Sequence, residues 1–399
     1  MEQTWRWFGP ADAVTLAEAR QAGVTGIVTA LHDIPYGVVW SVEAIEARKA
    51  EIAHDPTLGL TWSVAESLPV HEAIKIGEGD LEPLFENYRA SLRNLAACGV
   101  KTICYNFMPV LDWARTELRH ALPGGGRALR FNAHEFAAFD GFMLERPGAE
   151  ADHPPEVMER ARAWFDRSTS ADRARLLATV MAGLPGAFDR YNIEGLRRML
   201  ALYRDVSRDR LRENLVRFLD AVIPAAEEAG LRMAIHPDDP PRPLLGLPRI
   251  VSSAEDIAFI TEAVPSSANG ITLCSGSLGA GPDNDVVDIA RRFAPQIHFA
   301  HLRNVMKEPD GSFMEADHLD GDTDMIALVE VLLAEQGRRR EAGEARWRIP
   351  MRPDHGHELL GDVGRTGHHP GYSATGRLKG LAELRGVMRT LSRLRDLPL

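Results

Sequence analysis

Four side chains able to ligate a metal stand one apiece at the ends of four successive short apolar runs: His236 in RMAIHP, Cys274 in GITLCSG, His301 in IHFAHLRN and Asp354 in IPMRPDHG. Two imidazoles, a thiolate and a carboxylate make a complete inner shell for a divalent transition metal. The ion itself stabilises those protonation states together. Ligand softness alone points to zinc or ferrous iron. A single strand-end histidine is an ordinary structural residue, but ligand types recurring at consecutive run ends point to a metal centre.

Groups suited to proton transfer lie close by in the chain. His355 follows Asp354 at the start of a loop, and the Pro-Gly turn of HHPGYSATGR presents Tyr372, a phenol that can donate or accept a proton. Arg303, two residues after His301, and Arg352, two before Asp354, could each grip a carboxylate in a bidentate fork or close a buried salt bridge. Glu66 and Asn106 end two earlier apolar runs and complete the candidate substrate-binding set. The glycine-rich GSLGAGPDND after Cys274 matches neither the dinucleotide nor the P-loop pattern, so a flexible active-site loop is expected there. Cys98 and Cys104 read as small buried hydrophobes.

These residues need a frame that collects strand ends on one side. Apolar strand-like runs alternate with helical patterns: TWRWFG, GIVTALHDIP, LTWSVAES, VKTICYNFMP, LRMAIH, GITLC, IHFAHL and WRIPMRP, closing with the helix LKGLAELRGVMRTLSRL. Eight strand–helix pairs predict an α/β fold, a single (β/α)8 barrel over residues 1–399, whose catalytic groups sit at the carboxyl ends of the strands. Period-two alternation supports this: turning His236, Cys274 and Asp354 inward sends Met233, Ile235, Ile271, Leu273, Ile349 and Met351 outward against helices. His298 has the opposite parity to His301 and should pack outward. The alternation breaks from 110 to 191, where amphipathic helical stretches predict a helical insertion after the fourth strand, placed as a lid over the ligand face.

The formal net charge of −11 argues against nucleic acid or an anionic membrane surface as partner. No apolar stretch approaches the roughly 20 residues needed to span a bilayer, and MEQTWRWFGPAD lacks the features of a leader. Three cysteines, odd and sparse, do not form a disulfide framework. A cytoplasmic protein is expected.

WRWFGP, GIVTALHDIPYGVVW, WSVAESLPVHEAIKIG, NFMPVLDW, RMAIHPDDPP, CSGSLG, HFAHLRNV, RPDHGHELL and PGYSATGRLKGLAELRGV follow one another along nearly the whole chain and together resemble the mannonate dehydratase family. The resemblance implies a xylose-isomerase-like barrel that dehydrates D-mannonate to 2-keto-3-deoxy-D-gluconate in hexuronate catabolism. It implies Mn²⁺ or Fe²⁺, in place of zinc, on residues matching His236, Cys274, His301 and Asp354. His355 and Tyr372 match the family's catalytic pair. A homo-oligomer is expected. Two rival readings are a sugar isomerase on the same barrel and a sugar-acid binding protein without turnover; His355 and Tyr372 speak against the second.

Overall fold

The computed structural model describes residues 1–183 and 191–399. Its strands are β1 (Glu2–Arg6), β2 (Gly26–Thr29), β3 (Thr61–Glu66), β4 (Thr102–Tyr105), β5 (Glu117–Ala121), β6 (Arg127–Phe131), β7 (Arg232–Ile235), β8 (Asn269–Cys274), β9 (Ile297–His301), β10 (Val305–Lys307), β11 (Phe313–Glu315) and β12 (Pro350–Arg352). Eight of them close into a barrel in the order β1-β12-β9-β8-β7-β4-β3-β2. Every neighbouring pair in the ring is parallel. The expected (β/α)8 barrel is therefore present, and all carboxyl ends share one face.

Strand parity follows the sequence pattern. Met233, Ile235, Ile271, Leu273, Ile349 and Met351 join the large core shared with the helices. Val28, Val64, Cys104, Ala234 and Phe299 form a separate small cluster, the barrel's own filling. Cys104 behaves as the expected buried small residue, its sulfur 3.2 Å from the Thr272 hydroxyl, and Cys98 is buried at the end of helix Glu82–Ala97. His298 turns outward and its Nδ1 stands 2.7 Å from the Met233 carbonyl; burial drives its pKa down to about 3, so the ring is neutral. In the helix Arg208–Glu228 the stripe Leu211, Leu215, Phe218, Leu219 and Val222 is entirely buried, and Ser207 caps its first turn.

The segment after β4 differs from the all-helical expectation. It opens with a hairpin, β5–β6, turning through Gly125 at φ +85°. β6 then pairs with β11, and β11 with β10, giving a four-stranded antiparallel sheet in the order β10-β11-β6-β5. Strands of three to five residues with charged faces, such as ELRHA and RALRF, carry too few alternations to register as a period. Helices follow at Ala133–Ala138, Pro155–Arg167, Ser170–Val180 and Ile193–Leu202. They share a second core that includes Phe131, Phe136, Phe139, Leu176 and Leu196. Residues 184–190 of the expected insertion lie outside the described residues.

One carboxylate ties both ends of this insertion to the barrel. Glu72 Oε2 accepts the Val110 N–H at 3.2 Å and the Tyr203 hydroxyl at 2.5 Å. Lys75 donates to Glu72 Oε1 at 2.5 Å and to the Met108 carbonyl at 2.8 Å. Among the described residues no helix is long and apolar enough to cross a membrane.

Candidate active site

At the carboxyl ends of β7, β8 and β9, His236, Cys274 and His301 bring one ligand atom each within 4.8 Å of one another. His236 Nε2 and His301 Nδ1 are 3.1 Å apart, close to the separation of two nitrogens each about 2.1 Å from a common ion. His236 Nδ1 lies 2.7 Å from the Pro237 carbonyl; a proton there leaves Nε2 as the lone-pair donor, the outer hydrogen bond typical of ligating histidines. Burial lowers the His236 pKa and favours the neutral ring that ligation needs.

Cys274 caps the short buried helix Ser275–Gly279, its sulfur accepting the Ser277 N–H at 3.4 Å and lying 3.1 Å from the Ser277 hydroxyl. The glycine-rich stretch is thus a packed helical turn at its start, unlike the flexible loop expected. Its glycines serve close approach: a Cβ on Gly276 would fall 2.0 Å from Arg303 Nε.

Asp354 stands at the edge of this group, outside the set whose ligand atoms all lie within 4.8 Å. Its Oδ2 is 3.7 Å from Cys274 Sγ and its Oδ1 is 3.9 Å from His301 Nδ1. Its backbone is left-handed at φ +60°, a conformation that non-glycine residues adopt mainly where the surroundings impose it. Arg352 Nη1 bonds Oδ1, and Arg303 Nη1 bonds Oδ2 at 3.2 Å. Burial raises the Asp354 pKa, but Arg352, His355, His301 and Arg303 outweigh it and hold the carboxyl well below its usual range.

Of the two readings for Arg303 and Arg352, the structure realises the buried salt bridge. Arg352 forks onto Glu66 through Nε at 3.1 Å and Nη2 at 2.8 Å. Arg303 donates to Asp239 Oδ2 at 3.0 Å, and its Nε lies 3.2 Å from Glu315 Oε2. Arg115 donates to both Asp239 oxygens at 2.8 and 3.2 Å, and to Glu315 Oε1 at 3.1 Å. Arg6 completes the set, 3.8 Å from Glu66 Oε1. Four guanidiniums, Arg6, Arg115, Arg303 and Arg352, therefore face four carboxylates, Glu66, Asp239, Glu315 and Asp354, all of them buried. Asp239 is held well below the usual range: burial pushes up, but Arg115 and Arg303 prevail.

His355 and Tyr372 meet beside this network. Their rings are 5.0 Å apart and nearly perpendicular, and Trp113 stands edge-on to His355 at 6.2 Å. Gly371, at φ +82°, allows the approach, since a Cβ there would lie 3.2 Å from His355 Cγ and 2.6 Å from a Leu129 methyl. Burial raises the Tyr372 pKa, so the phenol keeps its proton at neutral pH. His355 Nδ1 lies 3.1 Å from Glu315 Oε1, while Nε2 is 3.9 Å from Asp354 Oδ1.

A cleft opens over these groups, lined by Glu66, Asn106, His236, Asp354, His355 and Tyr372 among others, Arg303 and Arg352 included. Cys274 and His301 are fully buried. The structure thus brings every sequence-predicted site residue to one face of the barrel. Sequence reasoning passed over Asp239, Glu315, Arg115 and Ser277. Asp239 carried a signal, three residues past His236 in HPDDPP; Glu315 and Arg115 lie in the auxiliary sheet and at its entrance, where no pattern marked them.

The chain matches the family model described as D-mannonate dehydratase (UxuA) over residues 1–397. It is 54% identical over 395 residues to the mannonate dehydratase of Chromohalobacter salexigens, covering 99% of this chain and 100% of that protein. It is also 54% identical over 389 residues to the mannonate dehydratase of Marinomonas sp., covering 97% and 98% respectively. The crystal structure of mannonate dehydratase from Streptococcus suis serotype 2 superposes with a TM-score of 0.75 at 33% identity, covering 100% of this chain and 95% of that one. With a full-length family match, two near-full-length relatives and a shared fold, the chain belongs to the D-mannonate dehydratase family.

Proposed function

We propose that this hydro-lyase converts D-mannonate to 2-keto-3-deoxy-D-gluconate and water at the cleft above β7, β8, β9 and β12. The observation that supports the site is the convergence of three metal-ligand atoms within 4.8 Å, the adjoining Asp354 carboxylate and the His355–Tyr372 pair on one cleft. His236, Cys274, His301 and Asp354 would hold the metal, Mn²⁺ or Fe²⁺. When bound, the ion supplies Lewis-acid stabilisation of charge developing on the substrate's carboxylate end.

Arg303 and Arg352, which line the cleft with donors engaged by Asp239, Asp354 and Glu66, attract the substrate's carboxylate through their charge. Glu66 and Asn106, at the ends of β3 and β4, receive its hydroxyls.

Dehydration removes the proton on the carbon beside the carboxylate and expels the hydroxyl of the next carbon. The resulting enol becomes the ketone by gaining a proton at that second carbon and losing its own hydroxyl proton. His355 and Tyr372 divide the base and acid roles, each contributing roughly 10²- to 10⁴-fold. The phenol, protonated at neutral pH, can accompany the departing hydroxyl as water. The insertion serves as a lid. Three cysteines, all free and buried, suit a reducing cytoplasm.

The test is direct. Metal-loaded protein is incubated with D-mannonate and the products assayed for a 2-keto-3-deoxy acid. An isomerised sugar acid, or binding without turnover, would overturn the proposal.

A further inference from the structure

We propose that Glu315 is the positioning residue for His355: it accepts the Nδ1–H of the ring and so leaves Nε2 as the nitrogen that moves protons. The inference rests on the reading of His355 as a proton-transfer group. Glu315 Oε1 lies 3.1 Å from His355 Nδ1, whereas the nearest guanidinium atom of Arg303 is 3.4 Å away. Burial raises the Glu315 pKa, but Arg303, His355 and Arg115 prevail and hold it down to about 2. An ionised carboxylate has no proton to give, so the contact is favourable only if Nδ1 carries one.

Glu315 is well placed to hold that orientation. It is buried, Arg115 donates to the same oxygen at 3.1 Å, and its backbone carbonyl lies 3.0 Å from His357 Nε2. It ends β11, which is paired on one side to β10 and on the other to β6 of the insertion. Arg115 also enters from the insertion, just ahead of β5. Glu315 is not among the side chains that line the cleft, so it acts through the ring and not on substrate. A carboxylate behind a histidine sets its tautomer and orientation and stabilises the imidazolium that forms when it acts as a base.

The experiment is a double-mutant cycle on the metal-loaded enzyme, paired with nitrogen-15 NMR of the histidine-labelled wild type. Glu315→Gln should lower kcat about ten- to a hundredfold with metal content and KM for D-mannonate nearly unchanged. Glu315→Asp, which keeps the charge but withdraws it, should recover part of the loss. Placed in a His355→Asn background, Glu315→Gln should cost less than about twofold more. The His355 resonances, identified by their absence in His355→Asn, should report an Nδ1–H in the resting enzyme. Wild-type kcat in Glu315→Gln, a fully additive loss in the cycle, or an Nε2–H tautomer would overturn the assignment. The NMR result decides even if Glu315→Gln fails to fold. Wild-type kcat in His355→Asn alone would instead remove His355 from the proposed mechanism.

Discussion

Ser277 holds the sulfur of Cys274 from two directions, with its hydroxyl at 3.1 Å and its backbone N–H at 3.4 Å. Both are donors to a thiolate, and the hydroxyl also lies 3.2 Å from Asp239 Oδ2. Ser277→Ala keeps the N–H and removes the hydroxyl. Metal affinity should fall about tenfold, the scale typical of partners that support a metal ligand. Competition against a chelator measures it, and an unchanged affinity would show that the hydroxyl serves Asp239 alone.

Removing the metal should abolish turnover, and Mn²⁺ or Fe²⁺ should restore it. Cys274→Ser should bind the ion far more weakly while the metal-free protein melts as wild type does, because the barrel's inner filling is built from Val28, Val64, Cys104, Ala234 and Phe299 and not from that sulfur. Full activity in metal-free protein would end the metal assignment.

His355→Asn and Tyr372→Phe test chemistry apart from binding. Each removes a proton-transfer group at little cost in shape. We expect kcat to drop about a hundredfold or more in each, with metal content and substrate affinity near normal. Loss of the ion in either variant would move that residue into the ligand set. Arg303 and Arg352 are poorer probes, since removing either strands buried carboxylates at a cost of about 3–5 kcal/mol.

The Tyr203 hydroxyl on Glu72 should keep the insertion seated. Tyr203→Phe should therefore speed amide exchange in the insertion and in the helix Ile193–Leu202 that precedes Tyr203, and leave the barrel strands protected. Saturating substrate should slow exchange in the same span. No change with substrate would favour an inert insertion over a lid.

Glu135 offers a pH test remote from the ligands. Burial, with Glu117 adding to it, raises its pKa to about 7. The folded protein thus holds the proton more tightly than the unfolded chain, so this contribution to stability is complete below the ordinary glutamate pKa and is lost as pH rises through about 7. Glu135→Gln should melt higher than wild type at about pH 8 and nearly level with it at about pH 4. An equal Tm difference at both pH values would rule out titration as the cause.

The barrel could be read from the chain because its ligand residues end strands whose apolar partners alternate with them, so one pattern placed both His236 and Ile235. The auxiliary sheet could not, since β10 and β11 span three residues each and β11 pairs with β6, far away in the chain. Arg303 and Arg352 show a different limit. An arginine beside a strand end announces a carboxylate partner, but only coordinates distinguish a ligand from Glu66 or Asp239.

Phe131 and Phe313 stack at 5.5 Å across paired strands although three barrel strands lie between them in the chain. Closing the sheet that carries Glu315 therefore means bringing together segments that three barrel strands separate in the chain. Contacts of such long separation carry a large loop-closure cost and form late, as does the still longer β1–β12 pairing that closes the barrel. A refolding chain should regain its helical signal and much of its barrel before it regains catalysis, leaving a nascent, inactive enzyme whose unpaired β6 edge is open to capture by a chaperone or a neighbouring chain.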